Sequence, residues 1–278
     1  MRYGLPLGLL HPDAWRDLAQ AADELGYESV WLPEHLVFAT DLTLDGYPGG
    51  APPIRPATPL FDAPAYLCAL AAGTSRVRLG TAVYLLALRH PFVAARAFTT
   101  LDAVSGGRAI AGVGAGWYPG EWRAAGVDFA TRGRRLDEAI DVVRRLWTRP
   151  VVAYAGEFFA FEEVAFEPKP VRVPPILVGG MSGAALRRAA RLGDGWITMP
   201  ATPESVRPPL ERLRGYLAAA GRADAPFEVT AHVSGAPSEE ERARWAALGV
   251  DRLIVRPWRR GRDALAGAAA FARDAGLR

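Results

Sequence analysis

Apolar positions along this chain recur in two rhythms that alternate from one end to the other. Trp15, Leu18, Ala19, Ala22 and Leu25 fall three and four residues apart, the spacing of one helical face, and Gly26 closes the stretch. An apolar run over 3–10 precedes it, ending at Pro12 and Asp13. Behind it, Ser29-Val30-Trp31-Leu32 is short and mostly apolar, as a strand buried on both faces must be. The same alternation predicts helices over 62–73, 91–104, 131–148, 184–192, 203–220, 238–248 and 262–275, with strands over 77–83, 109–114, 176–179, 195–199, 227–233 and 250–256. Eight strands separated by helices, with no all-α or all-β tract, predict a parallel sheet covered by helices, and eight such units close most simply as a (β/α)8 TIM barrel of the α/β class. An open doubly wound sheet would place Gly-x-Gly-x-x-Gly after the first strand, where this chain has His11-Pro12-Asp13.

Two segments break the rhythm. Residues 36–62, rich in proline and glycine around Gly46 to Pro53, are long for a connection and predict a lid or binding loop after strand two. Val151 to Glu167 holds Tyr154, Phe158, Phe159, Phe161 and Phe166, which predicts a hairpin inserted between the fourth helix and the fifth barrel strand, its aromatics packed on the barrel. With neither tandem repeats nor a low-complexity linker, 1–278 reads as one domain.

Composition narrows the function classes. The chain has 278 residues, 50% hydrophobic and 23% charged, which describes a globule and neither a disordered chain nor a bilayer protein. No apolar run approaches the length of a membrane span, and the start, Met1 to Leu7, lacks an apolar signal core, so the expected location is cytoplasmic. Thirty-three basic residues stand against 30 acidic ones, a net charge of +3, and Lys169 is the sole lysine. The densest basic groups, Arg132-Arg134-Arg135 and Arg259-Arg260-Arg262, lack interleaved aromatics and read as solvated helix ends, which argues against a nucleic-acid partner. The single cysteine, Cys68, has no internal partner and reads as buried; the four histidines are too dispersed for a metal motif.

In a barrel, chemistry sits at the C-terminal ends of the strands. That rule selects Gly8 and His11, Glu34 and His35, Thr81 to Tyr84, Gly114 to Trp117, Gly179 to Ser182, Thr198 to Pro200, His232 and Ser234, and Arg256 to Trp258. His35 is the strongest candidate acid or base, since an imidazole exchanges protons near neutral pH. Glu34 either orients it or caps a neighbour, although adjacent residues at a strand end point in different directions. Gly114-Ala115-Gly116-Trp117 lets backbone approach a flat or anionic ligand, and Gly179-Gly180-Met181-Ser182 precedes a helix whose free N–H groups suit a phosphate, with Ser182 also able to serve as the helix cap. Two anion-tolerant loops on one rim favour a cofactor with a phosphate-bearing tail.

A series of stretches then resembles one family. Gly26-Tyr-Glu-Ser-Val-Trp-Leu-Pro-Glu-His35, Arg76-Val-Arg-Leu-Gly-Thr-Ala-Val83, Arg89-His-Pro91, Thr100 to Arg108, Gly112 to Trp117, Asp137-Glu-Ala139, Pro168-Lys-Pro170, Pro174 to Gly180 and Gly193-Asp-Gly-Trp196 run in the order found in the luciferase-like monooxygenase superfamily, and are similar to its coenzyme F420-dependent (deazaflavin) oxidoreductases. The resemblance implies a homodimeric barrel with the cofactor in its mouth. His35 would lie near the reactive ring, and Glu34 beside it. Ala82 and Val83 would lie behind the ring, with a non-prolyl cis bond expected between them, and Gly8 and Thr81 would also bind the cofactor. Gly114, Ala115, Gly116, Trp117, Gly179, Gly180, Met181 and Ser182 would hold the tail. Where members using flavin mononucleotide (FMN) carry a phosphate-binding arginine, this chain has Ala115, which favours F420 over FMN. Where the sugar-phosphate dehydrogenase branch places an acid, it has Trp117. The implied reaction is hydride transfer between F420 and a small enone, imine, carbonyl or alcohol, with His35 moving a proton and the loop around Tyr47 excluding water. The alternative is an FMN-dependent monooxygenase using O2. A non-catalytic ligand-binding or partner subunit is set against the presence of His35 with both glycine loops.

Overall fold

Eight parallel strands close on themselves as a barrel. A computed structural model describes residues 1–8, 10–40 and 54–278, so Tyr47 and the centre of the long loop lie outside the described residues. The strands are β1 (Arg2–Pro6), β2 (Ser29–Leu32), β3 (Arg78–Thr81) and β4 (Ala109–Val113); then, past an antiparallel hairpin of β5 (Val151–Ala155) and β6 (Ala160–Ala165), come β7 (Ile176–Gly179), β8 (Gly195–Pro200), β9 (Glu228–Ser234) and β10 (Arg252–Arg256). Around the barrel they follow the order β1-β10-β9-β8-β7-β4-β3-β2. The helices are α1 (Asp13–Glu24), α2 (Ala63–Ala71), α3 (Pro91–Ser105), α4 (Pro119–Ala124), α5 (Arg132–Thr148), α6 (Gly183–Leu192), α7 (Pro203–Ala219), α8 (Glu239–Ala247) and α9 (Ala264–Asp274). Among the described residues, no helix is long and apolar enough to cross a membrane.

Local chemistry sets the ends of these elements. Pro91 opens α3, where its missing N–H is no loss, the His90 side chain accepts from the Phe92 N–H at 3.3 Å, and Gly106 takes the left-handed conformation at φ 67° that ends the helix. Reciprocal capping boxes start α7 (Thr202 with Ser205) and α8 (Ser238 with Glu241). The short helix α4 has no counterpart in the sequence expectation, because its six residues are too few for a helical period.

Inside the barrel, side chains fill two layers. The lower layer is charged: Arg252, fully buried, meets the Glu28 carboxylate through Nε and Nη2, both at 2.6 Å, contacts Glu228, and reaches the Thr230 hydroxyl at 3.0 Å. Above it Trp31, Ile110, Leu177, Ile197 and Ile254 form an apolar layer, each side chain stabilising the fold by roughly 1.5–3 kcal/mol. Trp31 spans the cavity because Gly80 leaves room for it; a Cβ there would lie 2.5 Å from the indole ring. The alternate residues of the same strands, such as Val30, Leu79, Val178, Leu253 and Val255, pack outward beneath the helices.

Two sequence expectations are corrected. Cys68 is half-buried on α2, and burial raises its thiol pKa. Arg132, Arg134 and Arg135 are not simply solvated: Arg132 lies 3.8 Å over Phe129, and Arg135 lies 5.1 Å from the Phe158 and Phe159 rings, pinning the hairpin by cation–π contact. Lys169, the single lysine, donates to the carbonyls of Leu146, Arg149 and Phe166 at 3.0, 2.6 and 2.8 Å, closing the end of α5 onto the hairpin.

Candidate active site

The mouth lies at the C-terminal ends of the barrel strands. β3 runs into Ala82-Val83, whose peptide bond is cis as the resemblance implied. Thr81 anchors it: the buried hydroxyl donates to the Gly112 carbonyl at 2.7 Å, while the Ala82 N–H donates to Leu32 and the Tyr84 N–H to Gly112, both at 2.8 Å. Both half-buried side chains rest on the interior layer of Trp31 and Ile110.

The neighbouring glycines receive this segment. A Cβ at Gly114 would overlap a Val83 methyl, one at Gly179 would sit 2.7 Å from the other, and one at Gly112 would overlap the Thr81 carbonyl. Gly114 and Gly179, read in the sequence as room for a cofactor tail, therefore also hold space for Val83. Gly8, at the end of β1, abuts the Pro33 ring in the same way.

The Gly179–Ser182 loop divides its backbone groups. Gly180, at φ 118°, donates its N–H to Ile197 at 3.2 Å and accepts from the Trp196 indole at 2.7 Å, so both its polar groups are used by protein. Ser182 is the cap of α6, its Oγ accepting from the Ala185 N–H at 3.2 Å, and half-buried Met181 packs on the outer core. The first N–H groups of α6 have no intrahelical acceptor and face the loop's end, the usual place for an anion. A flat ring on Ala82-Val83 with an anionic tail reaching α6 fits these groups.

His35 follows β2, its side chain 12% exposed. Its Nδ1 lies 2.8 Å from Oε2 of Glu121, a fully buried carboxylate on α4 whose other oxygen accepts the Leu36 N–H. An ionised carboxylate only accepts, so with Glu121 ionised Nδ1 carries the hydrogen and Nε2 holds the lone pair. Phe38 (4.6 Å between ring centroids) and half-buried Trp117 (5.8 Å) flank the imidazole, and Tyr118 stacks behind both while its hydroxyl takes the Ala39 N–H at 3.2 Å. Trp117 thus faces His35, with Ala115 and Gly116 half-buried beside it. Sequence reasoning missed Glu121, which lies on the one helix it did not anticipate.

Glu34 points elsewhere. Its buried carboxylate accepts the Leu85 N–H at 2.8 Å and pairs with Arg89, whose guanidinium stacks 4.4 Å over Tyr84. Burial brings Arg89 down to about 10, against the pull of Glu121, so it stays charged at neutral pH. This pair ties the end of β2 to the segment after β3. His11 is exposed and meets Asp13, away from these groups.

His232, near the end of β9, is partly accessible at its edge yet packed about by protein, and burial pushes its imidazole from 6.5 down to about 4. Between those values the unfolded chain binds a proton that the folded one refuses. There is no penalty above pH 6.5, and the fold loses up to about 3 kcal/mol as pH falls to 4. His232→Gln should therefore flatten the acid side of the stability curve, measured by denaturant midpoints at pH 7 and 4.5; parallel curves for the two proteins would refute the buried neutral imidazole.

The chain matches the luciferase-like monooxygenase family over residues 5–276. A protein of Mycobacterium tuberculosis without assigned function is 35% identical over 214 residues, 76% of this chain and 74% of that one. An F420-dependent glucose-6-phosphate dehydrogenase of Kineococcus radiotolerans is 35% identical over 231 residues, 80% of this chain and 63% of that one. Among solved structures, an F420-dependent secondary alcohol dehydrogenase in complex with an F420-acetone adduct aligns with TM-score 0.81 at 18% identity, covering 100% of this chain and 99% of that one. A monooxygenase from Streptomyces bottropensis aligns with TM-score 0.78 at 24% identity, covering 99% and 98%. At these identities the two structures speak for the fold, whereas the match to the family spans nearly the whole chain: it belongs to the luciferase-like monooxygenase family and resembles its F420-dependent oxidoreductases.

Proposed function

We propose that this protein is an oxidoreductase that transfers a hydride between coenzyme F420 and a small organic substrate at the barrel mouth. The observation that carries the reading is the oriented His35–Glu121 pair at the same mouth as the Ala82-Val83 segment and the start of α6. Bound there, the deazaflavin would supply a carbon able to take or give hydride. The chain's own work is positional. Glu121 fixes the imidazole, Nε2 of His35 takes the proton of a substrate hydroxyl or returns it in the reverse direction, and Phe38, Trp117 and Tyr118 shield that transfer from water. Ala115, in place of a phosphate-binding arginine, and the F420-dependent relative both support F420 over FMN.

A cytoplasmic homodimer belongs to the same reading. Its support is the apolar groove between α3 and the hairpin, lined by Phe92, Val93, Ala97, Leu146 and Phe166, and a cysteine without an internal partner.

Titrating the purified protein separately with F420 and with FMN tests the cofactor. Saturable absorbance and fluorescence changes with F420 alone are expected. Tight binding of FMN alone selects the monooxygenase, and binding of neither refutes both.

A further inference from the structure

The closed strand order gives the mouth two sides. Around the ring, β10 lies diametrically across from β4, and β9 across from β3. The side formed by β3, β4 and β7, with Gly8 after β1 and His35 after β2, carries the groups assigned above to the cofactor, which leaves the arc of β9 and β10 unassigned.

Side-chain alternation says what faces the mouth there. On β10, Arg252 and Ile254 point into the barrel and Leu253 and Val255 pack under the helices, so Arg256 continues the inward row. On β9, Thr230 meets Arg252 inside while Val229, Ala231 and Val233 face outward, so His232 is inward too. The pairings Ile254 with His232 and Arg256 with Ser234, and the bridge from Arg256 to Gly235, hold the two strand ends in register.

Among the described residues, neither side chain has a protein partner. Arg256 is half-buried, yet its guanidinium makes no hydrogen bond, ion pair or ring contact among the described residues, and the same holds for the His232 imidazole. The polar groups on the other side of the mouth are paired within the protein: His35 with Glu121, Glu34 with Arg89, and Gly180 with Ile197 and Trp196. The side-chain nitrogens of Arg256 and His232 therefore stay open to solvent at the mouth, where a guanidinium fork is free to take a ligand acceptor. Among the described inward residues of this arc, Arg256 supplies one permanent positive charge beside a neutral imidazole. One charge matches a monoanion, and the flat guanidinium fork matches a carboxylate.

We propose that the substrate carries a carboxylate held by Arg256, with His232 as a neutral hydrogen-bonding neighbour, which makes the substrate a hydroxy acid or the corresponding oxo acid. This deepens the hydride-transfer reading and rests on it. In the oxidising direction, the carbinol C–H bond breaks and its electron pair leaves with the hydride for oxidised F420. The hydroxyl proton goes to Nε2 of His35, the C=O bond forms, and the carboxylate is unchanged. The reducing direction is the reverse.

The test needs no cofactor. Protein labelled with 15N-arginine is titrated by NMR at neutral pH and constant chloride with acetate and benzoate, and with acetamide and benzamide as uncharged counterparts. The Arg256 Nε–H resonance is assigned by its disappearance in Arg256→Gln. Both carboxylates are small enough for any substrate-sized mouth and should shift that resonance saturably, with half-saturation below about 50 mM, a weak interaction consistent with one ion pair; the amides should leave it in place. No saturation in that range, or an equal response to the amides, overturns the proposal. Inorganic phosphate binding about tenfold more tightly than either carboxylate also overturns it, since that selects a dianion. Because F420 is absent throughout, failure here is distinct from failure of the cofactor titration.

Discussion

Replacing His35 by alanine is expected to slow turnover by about 10²- to 10⁴-fold, the range of a positioned acid or base, while affinity for F420, the proposed cofactor, stays within about threefold. The asymmetry follows from where the imidazole is held. Its Nδ1 is committed to Glu121 and its ring is walled by Phe38 and Trp117, so the exchangeable function left to it is at Nε2. Glu121→Gln keeps the shape but removes the negative charge that favours a hydrogen on Nδ1, so it should give an intermediate loss and a displaced limb in the pH profile of kcat/KM. Steady-state kinetics with a parallel cofactor titration separates the outcomes. If affinity for F420 falls as far as turnover does, His35 binds the ring and does not move the proton.

Arg252→Ala lowers stability by about 3 kcal/mol, because it leaves the Glu28 and Glu228 carboxylates facing each other in the barrel interior. The lower part of the usual range applies, since Arg2 stands 2.8 Å from Glu228 and Arg78 lies 3.8 Å from Glu28, both able to take over part of the pairing. Burial alone would raise the Glu28 pKa, but Arg252, with help from Ser29 and Arg78, holds that carboxyl below its ordinary 4.5. Its stabilising contribution is therefore complete above pH 4.5 and is lost as pH falls through the depressed value. The alanine variant should lose less on acidification than the wild type. Thermal and denaturant midpoints at pH 7 and pH 3.5 measure both effects, and a loss under about 1 kcal/mol at pH 7 would mean the neighbouring arginines suffice.

The barrel was legible because its strands are buried on both faces and therefore read as apolar runs. The expected and observed bounds coincide at 29–32 and 176–179 and differ by one or two residues elsewhere along most of the sheet. What stayed hidden is long-range or short-period. Glu121 sits on six residues opened by Pro119 and Gly120, too brief to show a face, and it acts on a residue far off in sequence. Arg252 begins the run Arg-Leu-Ile-Val-Arg, and nothing local says that its first arginine is sealed inside with Glu28 while its last stands at the mouth. Gly114 and Gly179 were recognised as sites of close approach, but the approaching group includes Val83 of this chain, which only the packing shows.

The apolar layer around Trp31 has a kinetic meaning. With fully buried Arg252 beneath it, the barrel is no conduit, and a ligand bound in the mouth arrives and departs on the same side. On the proposed reading, a cofactor seated deeper against Ala82-Val83 would be retained until the substrate above it leaves, which would give the reaction an order of addition and of release.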